Sequence, residues 1–293
     1  MARAAATFRR DYLSTRGWTR ASAVYTGSLS TEIYMPNVAG RPVLGIIPGG
    51  GWTTASRLNA TTAYVATRFA DMGFCVFVLD TTQADVDPGT SVDPQTPITD
   101  TLAFVSWART NAATYNGLAN NIALLGMSSG GHLALMAAIQ GVAGESRPDA
   151  VVAWSPATNL GTLTSPGSTY ALDYMNVAFS GNEAAWNAKS PALAVTSNSC
   201  PIRIVGASAD PNGIAQAQFD SMHTAALAAG VDSTKKIYTG TTHAVDFGSA
   251  RRYMASDDDV NETAAWLAEH LPWTRVATPR TATSRSVASR SAV

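Results

Sequence analysis

Cysteine is nearly absent. The two residues present, Cys75 and Cys200, are too few for a disulfide framework or a four-ligand zinc site. Each sits at one end of an apolar run, FCVFVLD and CPIRIVGA, where a free cysteine serves as a small buried hydrophobe. Charge is also sparse: charged residues make up 14% of the chain and the net charge is −1. That leaves no summed field to draw a phosphate backbone or an anionic bilayer, so nucleic acid is not expected as a partner. Lysine is confined to Lys189, Lys235 and Lys236, an arginine bias that carries no function. No window approaches the roughly 18 apolar residues of a membrane span. The run Arg9-Arg10-Asp11-Tyr12-Leu13 has the look of a twin-arginine export core, but Ser14, Thr15, Arg16 and Gly17 follow where an apolar stretch is required. The chain therefore reads as soluble, with the cytoplasm as its default location.

What is present describes an ordinary globular protein, with 46% hydrophobic residues, 14 prolines and 23 glycines in 293 residues. That length accommodates one large α/β domain or two small ones. Short β-like runs at Ala21 to Tyr25 and Thr31 to Met35 predict an N-terminal hairpin. Apolar strands are expected at Val43 to Ile47, Phe74 to Leu79, Asn121 to Leu125, Val151 to Trp154, Ile202 to Val205 and Lys236 to Tyr238. Helical spacing separates or follows them at Ala60 to Phe69, around Leu102 to Trp107, at His132 to Gln140, Ala215 to Ala229 and Glu262 to Leu271. A loop from Thr81 to Pro97 precedes the second of these, with Asp100 expected in its first turn. Alternating strands and helices predict a mostly parallel sheet with helices on both faces. Residues 157–198 interrupt the alternation, too long for an ordinary connection, and are expected to form a small cap or lid insertion in a single domain spanning 1–273. The stretch 274–293, rich in Ser, Thr, Ala and Arg, is expected to be disordered. No internal repeat is found.

The chemistry centres on Gly126-Met127-Ser128-Ser129-Gly130. It fits G-x-S-x-G, in which a sharp turn between strand and helix lifts a nucleophilic serine above the sheet. The apolar run NIALL before it and HLALMAAI after it supply the strand and helix that this motif needs. A hydroxyl is a weak nucleophile until a base removes its proton. Of the four histidines, His132, His223 and His270 fall within helical patterns, whereas His243 follows the last strand, at the carboxyl end of the sheet. His243 is the expected base. The orienting acid should follow the preceding strand, which selects Asp210, with Asp246 as the rival that comes after the histidine; Asp80 is expected to be structural. The glycines after the first strong strand, Gly50 and Gly51, together with the amide of Ser129, are candidates for an oxyanion hole, since backbone N–H groups there carry no obstructing side chain. Trp52, Tyr170, Tyr174 and Trp186 are candidates for the substrate-binding wall.

With these motifs in place, the chain resembles the bacterial hormone-sensitive-lipase-like esterases and the related acetyl-ester and feruloyl-ester hydrolases. The likeness runs from about Val43 to about Leu271: PGGGW is similar to the family's HGGGW, GMSSGGHLAL to its GDSAGGHLA, and SADPNG and GTTHAVDF to its acid and histidine segments. The resemblance implies an α/β-hydrolase fold with an eight-stranded sheet and a small cap. It also implies an acyl-enzyme mechanism without metal or cofactor, and small-molecule ester substrates with short acyl groups. Its strand order sets the strands of Cys75 and Cys200 apart, against a disulfide. Pro48, Met127 and Ser129 stand where the family has histidine, an acidic residue and alanine. A serine carboxylic-ester hydrolase is the expectation; an amidase or peptidase using the same triad, or a non-catalytic binding module of the same fold, are the alternatives.

Overall fold

Apolar residues at successive rather than alternate positions fill the central strands, as a sheet covered on both faces requires. The computed structural model describes residues 17–84, 91–248 and 255–271. The strands are β1 (Trp18–Thr26), β2 (Leu29–Pro36), β3 (Arg41–Ile47), β4 (Cys75–Leu79), β5 (Gly117–Met127), β6 (Ala150–Trp154), β7 (Ile202–Ala207) and β8 (Ser233–Tyr238). They form one eight-stranded sheet in the order β1-β2-β4-β3-β5-β6-β7-β8. The β1–β2 hairpin and the β2–β4 pair are antiparallel, and all other neighbours are parallel. The helices are α1 (Ala60–Asp71), α2 (Thr96–Asn111), α3 (Ser129–Gln140), α4 (Gly167–Met175), α5 (Glu183–Ala188), α6 (Pro191–Ala194), α7 (Gln216–Ala228) and α8 (Ala255–His270). The twin-arginine-like run and the stretch 274–293 lie outside the described residues.

Period-two alternation along each strand divides the core into two layers. Phe77, Leu124, Val151 and Ile204 face the layer of α2, α3 and α7, where Phe104, Leu135 and Phe219 pack. Val76, Leu125, Val152 and Val205 face the layer of α1 and α8, against Phe69 and Leu267. Two corrections concern element ends. Strand β8 begins at Ser233, three residues before the expected start at Lys236, because pairing with β7 starts at Ile202 opposite Ser233. Helix α2 begins at Thr96 with Pro97 in its first turn, so Asp100 lies beyond that turn and its carboxylate instead accepts from the Thr82 N–H at 2.8 Å. Both cysteines are buried thiols. Cys75 in β4 donates to the Tyr115 carbonyl at 3.1 Å, and burial pushes the Cys200 thiol up to about 12. Strands β3, β5 and β6 separate β4 from β7.

Residues 157–198 form a 3-10 turn at Leu160–Thr162 followed by α4, α5 and α6. Gln218 of α7 fastens the start of this segment: its Oε1 accepts from the N–H groups of Thr158 at 2.8 Å and Asn159 at 2.7 Å. A second fastening lies around His132, which is fully buried on α3. Its Nδ1 accepts from Trp52 Nε1 at 3.2 Å, and its Nε2 donates to the Lys189 carbonyl at 2.7 Å. Tyr174 stacks on Trp52 with centroids 4.8 Å apart and donates to the Pro94 carbonyl at 2.5 Å. His132 thus ties the loop after β3, the helix after β5 and the segment 157–198, and Tyr174 adds the approach to α2.

The side chain of Arg203 on β7 points into the α8 layer, where it pairs with Asp259 at 3.4 Å and Glu262 at 3.1 Å. Asp259 is fully buried, and burial pushes its carboxyl up to about 6 despite the guanidinium beside it. Removing one member of such a pair strands a charge in a poorly solvated site. Arg203→Met should therefore destabilise the protein by about 3–5 kcal/mol in urea unfolding, and adding Asp259→Asn should recover part of the loss. Burial also pushes His132 down to about 4 from its ordinary 6.5. Its contribution to stability is complete above about pH 6.5 and is lost as pH falls through about 4, because the unfolded chain takes the proton first. Asp259 acts in the opposite sense, since its raised folded value favours the native state at low pH. The stability gap between the native chain and His132→Asn isolates the histidine, and should narrow by on the order of 3 kcal/mol between about pH 7 and about pH 4.

Candidate active site

At the end of β5 the chain turns through Ser128 into α3, and the turn is tight because three glycines make it so. A Cβ on Gly126 would lie 2.1 Å from the Gly130 carbonyl oxygen, one on Gly130 would lie 2.3 Å from the Ile47 oxygen, and one on Gly49 would lie 2.9 Å from the Met127 oxygen. Backbones from β3, β5 and α3 therefore touch where side chains would hold them apart. Ser128 adopts φ 54° and ψ −120°, a conformation that costs an L-residue on the order of 1–3 kcal/mol and persists only where its surroundings impose it. Its N–H donates to the Trp154 carbonyl at 2.8 Å and its own carbonyl accepts from His132 N–H at 3.1 Å. Ser128 thus stands immediately before α3, whose N–H groups and partial positive charge favour an anion at that end.

His243 and Asp210 come from the loops after β8 and β7, and these loops stay paired beyond the strands. Ser208 N–H donates to the Tyr238 carbonyl at 2.8 Å, and Ala209 N–H to the Gly240 carbonyl at 2.9 Å. His243 Nδ1 donates to Asp210 Oδ2 at 2.7 Å, and Asp210 Oδ1 accepts from Asn212 N–H at 2.9 Å. The Asp210 side chain is fully buried and the His243 ring is 18% exposed. With Nδ1 carrying the hydrogen, Nε2 is the acceptor of that ring. Asp246, the rival acid, sits in the 3-10 turn Ala244–Phe247, and its N–H donates to the His243 carbonyl at 3.0 Å. His223 bonds Ser233 Oγ at 2.9 Å, and His270 bonds Asp232 at 3.0 Å while stacking on Trp266, both away from this cluster. Asp80 holds the loop after the glycines: its carboxylate accepts from Arg57 N–H at 3.0 Å and pairs with the Arg57 guanidinium.

Ser128 and His243 line one cavity of about 440 Å3, together with Gly50, Gly51, Ser129, Trp52 and Tyr170. The glycine loop is held in shape by its own carbonyl: Gly50 O accepts from the N–H groups of Thr53 at 3.1 Å and Thr54 at 3.0 Å. Gly51 and Trp52 both have φ near +60°. The Gly50 N–H points at Ser129 Oγ, 3.2 Å away. Tyr174 and Trp186 do not line the cavity, which corrects their reading as wall residues. Tyr174 stands behind Trp52 with 1% of its surface exposed, and Trp186 is 4% exposed with its Nε1 donating to the Val177 carbonyl at 3.1 Å. Aromatic identity could not separate a wall from the packing behind it.

Two residues that the motifs did not single out shape the site. Ser155, at φ 47° just past β6, accepts from Ala244 N–H through its hydroxyl at 3.1 Å and so anchors the residue after His243. Its position at the carboxyl end of a central strand, before Pro156, was the available signal. His132 supports the site from behind through Trp52. Among the described residues, no group of three or more His, Cys, Asp or Glu side chains is placed to hold a metal ion, and no helix is long and apolar enough to cross a membrane.

Comparison with known proteins matches this fold. Thermogutta terrifontis esterase 2 with propionate bound has a TM-score of 0.69 and 20% identity, covering 85% of this chain and 94% of that one. The same enzyme phosphonylated by sarin has a TM-score of 0.71 and 20% identity, covering 87% and 95%. A probable isoprenylcysteine alpha-carbonyl methylesterase of Oryza sativa subsp. japonica is 29% identical over 126 residues, 42% of this chain. The match spans 28% of that curated relative's length. The BD-FAE family matches residues 31–225, more than half of the sequence and the stretch that carries the glycine loop, the serine turn and Asp210. The chain belongs to the BD-FAE family and has the α/β-hydrolase fold.

Proposed function

We propose that this protein is a serine carboxylic-ester hydrolase that cleaves small esters with short acyl groups. The observation that carries the reading is the Nδ1–Oδ2 bond of 2.7 Å between His243 and Asp210, facing the cavity that Ser128 enters from its strained turn. In this reading Ser128 attacks the ester carbonyl and His243 accepts its proton. Asp210 keeps the imidazole in the tautomer that presents Nε2 and stabilises the imidazolium that forms. The glycine loop and the amide of Ser129 receive the charge that develops on the carbonyl oxygen. His243 then returns its proton to the departing alcohol, and water, activated by the same ring, releases the acid.

Membership of the BD-FAE family, one of acetyl xylan and feruloyl esterases, supports ester over amide cleavage. The wall divides by chemistry. Thr53, Thr54 and Asn59 line it with polar groups, and Leu163, Tyr170 and Ile214 with apolar ones. The polar residues suit a hydroxyl-bearing alcohol such as a sugar, and the apolar residues suit a short acyl or small aryl group. Thermogutta esterase 2 holds propionate, an acid of the size this cavity would take. We read residues 157–198 as the cap that supplies part of the apolar lining, since Leu163 and Tyr170 belong to it.

Hydrolysis of p-nitrophenyl esters tests this directly. Acetate to butyrate should be the best substrates and long-chain esters poor ones. Ser128→Ala should abolish turnover, and Asp210→Asn should lower kcat by roughly 10⁴-fold, as loss of the orienting carboxylate does in a comparable triad. A folded native chain that hydrolyses none of the series would overturn the reading.

A further inference from the structure

The Gly50 N–H has a donor's place in an oxyanion hole, yet it is directed at a side chain: Ser129 Oγ accepts it at 3.2 Å. Ser129 is 3% exposed and lines the cavity beside Ser128. A serine hydroxyl has one hydrogen to donate as well as lone pairs to accept with. Among the described residues, the bond from Gly50 is the one hydrogen bond this hydroxyl makes, so its own hydrogen has no acceptor there. The amides of Gly51 and Ser129 likewise have no acceptor among the described residues, and both border the cavity. Three donors are therefore available next to the nucleophile, and one of them is a side chain.

Resting on the esterase reading, we propose that the Ser129 hydroxyl is itself an oxyanion donor. It takes the Gly50 N–H and offers its own hydrogen to the carbonyl oxygen as that oxygen gains charge. Ser129 keeps its own proton: Ser128 forms the new C–O bond as His243 takes the Ser128 proton, the carbonyl π pair moves onto oxygen, and Ser129 stabilises that oxygen through a hydrogen bond. Accepting from Gly50 polarises the hydroxyl and makes it a better donor, as in any chain of hydrogen bonds within a dry site. The contact matters more as charge develops, so Ser129 should act on kcat more than on KM. Ser129 is thereby a catalytic residue through its side chain, in addition to the amide that any residue at this position would supply.

Ser129→Ala, Ser129→Thr and Ser129→Cys separate this from a packing role. Loss of one oxyanion donor costs on the order of 10²–10³ in rate in a comparable hydrolase. Here the alanine variant frees the Gly50 N–H, which compensates in part. Ser129→Ala should therefore lower kcat on p-nitrophenyl acetate by roughly 10- to 100-fold with KM within about twofold. It should weaken binding of a trifluoromethyl ketone, which presents a tetrahedral oxyanion, by a similar factor. Ser129→Thr, which keeps a hydroxyl, should restore most of the rate, whereas Ser129→Cys, of similar size but a weak donor, should not. Unchanged or raised kcat in Ser129→Ala would overturn the proposal, because the hydroxyl would then only be occupying Gly50. Labelling of Ser128 by a fluorophosphonate, followed by intact mass, is a readout independent of ester turnover. A native chain that labels but hydrolyses no ester sinks the esterase reading while the slower labelling expected of Ser129→Ala still tests Ser129. No labelling at all sinks both.

Discussion

Backbone meets backbone at the carboxyl end of the sheet. The first turn of α3 lies against the ends of β3 and β5 so closely that Gly126, Gly130 and Gly49 have no room for a Cβ. This contact forces the conformation of Ser128 and brings the glycine loop alongside the serine turn. It also sets α3 at a depth where His132 reaches Trp52. A helix one methyl group further out would relax the turn at Ser128 and separate Gly50 from Ser129. The strain at one residue is thus maintained by packing over three elements, which is how an unfavourable backbone geometry persists in a folded protein.

A different device holds the Asp210–His243 pair. Asp210 and His243 are 33 residues apart in sequence but belong to loops that continue the pairing of neighbouring parallel strands. Their separation is therefore set by the spacing of the sheet. The Asp210 loop is also joined to residues 157–198, because Thr164 N–H donates to the Gly213 carbonyl at 3.2 Å and a Cβ on Gly213 would meet Thr164 O at 2.0 Å. The wall of the cavity and the partner of the imidazole consequently belong to one bonded unit.

The strands were readable because continuous apolar runs and β-branched residues mark a doubly covered sheet, and the order of strand and helix followed from punctuation by glycine and proline. Ser128, Asp210 and His243 became candidates for the same reason: each follows a strand whose position in the chain order is visible. What escaped was non-local. The start of β8 at Ser233 depends on its partner β7, and its own residues, two of them lysines, carry no apolar pattern. Asp100 was misassigned because a carboxylate near a helix start can cap the helix or bond a distant amide, and only the fold shows that Thr82 takes it. Tyr174 and Trp186 look in sequence like Trp52 and Tyr170. Which aromatic borders the cavity and which stands behind it depends on how α4 and α5 lie, and their composition does not encode that.

The scarcity of lysine acquires a meaning from where it falls. Of three lysines in the chain, Lys235 and Lys236 occupy β8, the outermost strand on the parallel side of the sheet. Both are engaged, Lys235 with Asp220 and Lys236 with Glu262 at 2.6 Å, and both keep part of their surface in water. An outermost strand offers unpaired N–H and C=O groups to any other chain that arrives in extended form. Strongly hydrated ammonium groups along that rim must be stripped of water before a second sheet can dock. In a protein so poor in charge, two neighbouring ammonium groups on this strand add to the cost of pairing another sheet at this edge.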